Sequence, residues 1–246
     1  AARDRDRLGR MAAILTEGCG DEFAFSLDGN ESFRDVASFE GYFRDLLATP
    51  ALRHLWPRLL YVEQPWHRNV ALSPAIGELV RTWPDRPPII IDESDAELAS
   101  LPTALALGYA GTSHKNCKGV FKSVVNACIL AQLRCDGQAT VLSGEDLANV
   151  GPIGLLQDLA AQAALGVTSV ERNGHHYFAG LSEFPAGLQA HALAHHGDLF
   201  TPHGGGGWPR LAIQAGKVAI GSALCAPFGY GGEPDLTGMT PVAAES

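Results

Sequence analysis

The sequence predicts an α/β fold of the TIM-type (β/α) barrel class. Three observations predict it. Short apolar runs recur along the chain, and most of them end in a charged residue. The charged ends (Asp28, Glu63, Asp92, Lys115, Glu145 and Glu171) are separated by 35, 29, 23, 30 and 26 residues, the size of βα units. Runs such as Ile89-Ile90-Ile91 are apolar at consecutive positions, which suits strands covered on both faces. Strands alternating with helices imply an α/β architecture. Six such units favour a barrel over an open doubly wound sheet, and one barrel fills about 250 residues, close to the 246 present.

The elements follow in order. Arg3 to Leu15 reads as a helix. The run Phe23 to Leu27 ends at Asp28, and Phe33, Val36, Phe39, Phe43, Leu46 and Leu47 then recur every three or four residues, as on one helical face. Leu59 to Val62 ends at Glu63, and Ile89 to Ile91 ends at Asp92. A helix over Asp95 to Leu107 is expected to open at Ser94 or Asp95, both good N-cap residues. A weaker run, Gly108 to Ser113, leads to His114 and Lys115, and Lys118 to Leu133 is helical in spacing. Ala139 to Leu142 leads to Ser143-Gly144-Glu145-Asp146. Ile153 to Leu165 is an Ala/Leu-rich helix stopped by Gly166, a good C-cap residue. Val167 to Val170 ends at Glu171 as a sixth strand. Beyond it, Arg210 to Leu224 alternates about Ala215-Gly216 as a hairpin, and the end is rich in Gly and Pro. The expected organisation is a partial barrel over 1–175 and a C-terminal tail with a β-hairpin over 176–246.

Composition narrows the function. Apolar residues make up 46% and charged residues 18%, ordinary globular usage rather than that of a disordered chain. The net charge of −9 argues against nucleic-acid and anionic-membrane binding, which need a basic face. No apolar run reaches the roughly 18–20 residues of a membrane helix, and the N-terminus lacks a signal-peptide core, so a cytoplasmic protein is expected. The five cysteines form no Cys-x-x-Cys pair and read as reduced, buried small residues.

In a barrel the active site lies at the C-terminal ends of the strands. Asp28, Glu63 and Asp92 end three consecutive strands and can converge, and a divalent cation such as Mg²⁺ would offset their repulsion. The bland reading is three acids facing solvent or capping the next helices. Lys115, one strand further on, would enter the same mouth, where a nearby cation disfavours its charged form and suits it to act as a base.

Four short motifs carry a family resemblance. Asp28-Gly29-Asn30, Glu63-Gln64-Pro65, Asp92-Glu93-Ser94 and Lys115 followed by Gly119 occur in order at βα spacing. They resemble the metal-ligand strands and the following lysine of the enolase superfamily, of the mandelate racemase and muconate lactonizing type, over roughly Arg7 to Glu171. The resemblance implies a barrel of the enolase C-terminal-domain type. It implies Mg²⁺ held by Asp28, Glu63 and Asp92, with Lys115 as acid/base. It further implies a lyase or isomerase that removes the proton alpha to the carboxylate of a small substrate, through an enediolate, toward acid-sugar dehydration, racemisation or epimerisation, or cycloisomerisation. A homo-oligomer is expected on the same ground.

Other residues stay open. Glu93 either orients Lys115 or a ligand, or is a solvated acid; Asn30 holds a ligand or a water, or shapes a turn. His114 supplies a donor or an acid, or is structural, and Lys118 competes with Lys115 for the strand end. Glu145, Glu171 and His175 contact substrate, or cap helices and turns. The family's N-terminal α+β capping domain, first barrel strands and Lys-x-Lys motif have no counterpart in this sequence, so a preceding segment or another chain is expected to complete the barrel. Two alternatives stand beside the enzyme: a non-catalytic relative binding a metal or a carboxylate ligand, and a zinc-dependent hydrolase built on His191, His195, His196, Asp198 and His203.

Overall fold

A computed structural model describes residues 2–145, 148–171, 174–205, 207–225 and 227–241. A five-stranded sheet has the order β1-β2-β3-β4-β5, with β1 Phe25–Asp28, β2 Leu59–Glu63, β3 Ile89–Ile91, β4 Gly111–His114 and β5 Val141–Gly144. The pairs β1–β2, β2–β3 and β3–β4 are parallel. The helices are α1 Ala2–Cys19, α2 Val36–Ala48, α3 Arg68–Ala71, α4 Pro74–Thr82, α5 Ser100–Ala106, α6 Val120–Cys135, α7 Pro152–Ala164, α8 Gly174–Tyr177, α9 Ala186–His195 and α10 Gly221–Cys225. None of them is long and apolar enough to cross a membrane. The chain divides into two compact units, 1–113 with 128–142 and 114–127 with 143–246.

In the first unit the core is aromatic. α2 begins where the Asp35 carboxylate accepts from the Ser38 amide at 2.8 Å, closing the first turn. Its buried face is Phe39, Phe43 and Leu46, the spacing that the sequence shows. Phe39 meets Trp66 edge-on at 4.8 Å, and Trp66 meets Tyr109 at 6.1 Å. The Tyr109 hydroxyl donates to the Ala71 carbonyl at 2.6 Å, so this buried ring keeps its polar end satisfied. Ile89, Ile90 and Ile91 are all buried, as a strand covered on both faces requires.

β4 and β5 approach closely at a glycine. Val141 N–H donates to the Ala110 carbonyl at 2.8 Å. A Cβ on the neighbouring Gly111 would lie 1.8 Å from the Val141 carbonyl oxygen, backbone that cannot swing aside. Gly111→Ala is therefore expected to cost about 3 kcal/mol or more, at the upper end of overpacking penalties. Urea unfolding checks it, and a midpoint equal to wild type would refute the close approach.

In the second unit α7 ends in a Schellman motif. Gly166 takes φ +72°, its N–H bonds the Ala163 carbonyl at 3.1 Å, and Val167 N–H bonds Gln162 at 2.9 Å. Leu155, Leu156 and Leu159 of α7 pack with Leu188, Leu199, Phe200 and Leu211.

Four expectations need correction. The sixth strand is an isolated bridge between Gly144 and Val170. α5 starts at Ser100 after Ala99, because Ser94 and Asp95 serve other partners: Ser94 Oγ accepts from Gln64 and Asp95 accepts from Thr112. Cys19, Cys117, Cys128 and Cys135 are exposed free thiols rather than buried ones. The tail hairpin shrinks to β8 Ile213–Gln214 and β9 Lys217–Val218 about Ala215-Gly216, and an unforeseen antiparallel pair, β6 Phe200–Pro202 with β7 Pro209–Leu211, precedes it.

Candidate active site

The parallel register sets Asp28 opposite Glu63, and Glu63 opposite Ile90. The acids therefore sit at neighbouring C-terminal strand ends. Glu63 and Asp92 are 2% and 4% exposed. They belong to a buried group of carboxylates whose oxygens lie within 4.8 Å of one another. Such oxygens are the donor set a hard divalent cation takes, and burying two anions side by side is costly without a cation.

Asp28 does not join them. It stands exposed at the edge strand, where both its oxygens are used by its own turn. The Asn30 amide N–H donates to Oδ1 at 2.8 Å, and the Asn30 side chain to Oδ2 at 3.1 Å. Asn30 is thus the turn residue of an Asx turn, with φ +43°. The next residue, Glu31, takes φ +59° and grips Arg68 with both oxygens, at 2.9 and 2.7 Å. This pairing with Arg68 lowers the Glu31 carboxyl to about 2. Arg68 is raised in turn, chiefly by Glu31 and further by the charges of Glu93 and Asp92.

Asp92 is framed by both neighbouring strands. Ser113 Oγ, on β4, donates to its carboxylate. Its backbone N–H donates to Gln64 Oε1 at 2.7 Å. Glu93, half-buried, follows it. Gln64, Ser113 and Arg68 were not singled out by sequence reasoning. Gln64 lies inside the Glu63-Gln64-Pro65 motif but carries no charge, Ser113 is an uncharged residue within its run, and Arg68 ends no apolar run.

In the second unit, Lys115 directly follows β4 and forms an ion pair with Glu145, which directly follows β5. The Glu145 backbone is pinned: its N–H donates to the His114 carbonyl at 3.0 Å, and its carbonyl accepts from the Gln162 amide. His114 is buried, with Nδ1 2.7 Å from Ser123 Oγ and Nε2 2.9 Å from Asn116 Oδ1, so both ring nitrogens are spoken for. Lys118 closes the short turn Asn116–Lys118 ahead of α6. Glu171 is half-buried, its N–H bonded to the Gly144 carbonyl at 2.7 Å. His175 is buried in α8 with its ring 5.6 Å from Phe200. Asp146, Arg172 and Asn173, which flank these acids, lie outside the described residues.

The tail histidines are engaged in the fold rather than arranged for zinc. His196 Nδ1 lies 3.0 Å from Ser222 Oγ, and its Nε2 accepts from Gly231 N–H at 3.0 Å. His191 Nε2 bonds the Gly231 carbonyl at 2.6 Å, and His203 stacks on Trp208 at 4.6 Å. Among the described residues none of them joins a group of three potential ligands.

No protein-family model and no curated protein matches the chain. Solved structures do. A muconate cycloisomerase from Azorhizobium caulinodans superposes with a TM-score of 0.50 at 20% identity, over 68% of this chain and 43% of that one. A mandelate racemase/muconate lactonizing family protein from Azoarcus sp. EbN1 gives 0.47 at 22% identity, over 67% and 40%. The chain thus spans less than half the length of either. Over the matched part its fold is that of the cycloisomerase, the fold class that the four motifs imply.

Proposed function

We propose that this chain is an enolase-superfamily enzyme of the mandelate racemase and muconate lactonizing type, which removes the proton alpha to the carboxylate of a small substrate. The observation that carries the proposal is the buried pair Glu63 and Asp92, oxygens within 4.8 Å, at the ends of adjacent parallel strands in the motif order of that family. Glu63 and Asp92 are the proposed Mg²⁺ ligands. Asp28, which the resemblance also implies, would have to leave its Asx turn to take part. Bound Mg²⁺ would offset the negative charge that grows on the substrate carboxylate. Lys115 as the neutral amine takes the proton from the alpha carbon on Nζ, and the ammonium so formed is the ion-pair partner of Glu145, which holds Nζ in place. Glu93 is the proposed orienting acid beside the ligand, His114 fixes the β4 end through Ser123 and Asn116, and Glu171 and His175 are weaker candidates for substrate contact. Dehydration of an acid sugar, racemisation or epimerisation, and cycloisomerisation all begin with this step, so the proposal covers a lyase or an isomerase.

Solvent isotope exchange tests it. With Mg²⁺ in D₂O and a library of acid sugars and amino-acid derivatives, at least one substrate is expected to take up deuterium at the alpha carbon. A folded, Mg²⁺-binding protein that exchanges none of them would favour the non-catalytic relative.

A further inference from the structure

Gln64 carries a density of bonds unusual for one side chain. It is 1% exposed. Its Nε2 donates to the Trp66 carbonyl at 2.8 Å and to Ser94 Oγ at 2.7 Å. Its Oε1 accepts from the Asp92 N–H at 2.7 Å and from the Ser94 N–H at 3.2 Å. An amide has two N–H donors and two lone pairs, so every bond this side chain can make is made. Its backbone is equally committed, with N–H to the Ile90 carbonyl at 2.9 Å and carbonyl to the Glu31 N–H at 2.9 Å. All this occurs at φ +31°, a conformation that a non-glycine residue keeps only where its surroundings over-determine it.

The bonds have a direction. Three of the four side-chain bonds reach from the end of β2 to residues 92 and 94, just past the end of β3. Glu63 precedes Gln64, and Asp92 is its hydrogen-bond partner. The amide therefore ties together the backbones of the two buried carboxylates. We infer that Gln64 is a positioning residue, which holds the Glu63 and Asp92 carboxylates at cation-binding separation. This rests on the proposal that those two residues bind a divalent metal. The general reason is that like charges at such range would otherwise part, and outer partners of metal ligands commonly set affinity by holding the ligands still.

The test is Mn²⁺ binding by the full chain, read by electron paramagnetic resonance of the free ion and by calorimetry, with no substrate present. Gln64→Met keeps the side-chain length and removes all four bonds; it is expected to weaken Mn²⁺ binding about 10- to 100-fold. Tyr109→Phe removes another buried hydrogen bond of the same unit, to Ala71, and is expected to lower stability while leaving Mn²⁺ affinity unchanged. If Gln64→Met does not fold, Gln64→Gly, which relieves the left-handed backbone, replaces it with the same expected loss. Wild-type affinity in Gln64→Met or Gln64→Gly overturns the inference, as does equal weakening in Tyr109→Phe. If the unmutated chain binds no Mn²⁺, the metal-site proposal itself fails and the inference falls with it.

Discussion

Lys115→Met is expected to do two separable things: lower stability by about 3–5 kcal/mol, and slow alpha-proton exchange by about 10²- to 10⁴-fold. The first follows from burial. The Glu145 side chain is 3% exposed, and its ion pair with Lys115, itself 17% exposed, offsets its desolvation. Removing the lysine takes a charged partner from a buried carboxylate, which costs more than the pair contributes. The second follows from the role proposed for Nζ. The two effects part in the double variant. Lys115→Met with Glu145→Gln places neutral groups at both positions, so it is expected to recover most of the lost stability and none of the exchange. Urea unfolding and deuterium uptake, measured on both variants, check this. Exchange that returns with stability would show that the lysine acts only through the fold, and would remove it as the proton acceptor.

How far the sequence carries depends on whether a residue acts through a pattern or through a partner. β1, β2, β3 and β5 are legible because each is a short apolar run that ends in a charge. α2 is legible from Phe39, Phe43 and Leu46 at helical spacing. The end of α7 is legible because Gly166 permits the positive φ that a Schellman turn needs. Val167 to Val170 has strand composition, yet Val170 makes only a single bridge, to Gly144. Ser94 and Asp95 are good caps by type, but a cap residue with a better partner is not a cap, and Gln64 and Thr112 are those partners. The same limit governs the site. Glu63, Asp92 and Lys115, the residues of the proposed site, are marked in the sequence by type and spacing. The separation of Asp28 does not, since it depends on a local Asx turn that competes for the same oxygens. Gln64 declares itself least, because four bonds to residues as far as 30 positions away leave no local trace.

The pH dependence of stability should have an identifiable share from His175. Burial, with a smaller contribution from the charge of His176, pushes this imidazole down from its ordinary 6.5 to about 4, against a hydrogen bond involving the Val150 backbone that raises it. The folded chain therefore keeps His175 neutral where the unfolded chain protonates it. The sign follows: above about pH 6.5 both states hold it neutral and its contribution is fully present, and the contribution is lost as pH falls from 6.5 toward 4. Each pH unit inside that window removes about 1.4 kcal/mol, so the whole window is worth about 3 kcal/mol. His175→Gln keeps a hydrogen-bonding group for Val150 and cannot titrate. Urea unfolding between about pH 7 and pH 4.5 is expected to show a stability that falls more steeply for the wild type than for His175→Gln. Parallel curves would mean that the ring is hydrated or charged in the fold. Its 1% exposure beside Phe200 argues for the first outcome. A protein whose second unit loosens in mild acid would then do so through a residue that takes no part in the proposed proton transfer.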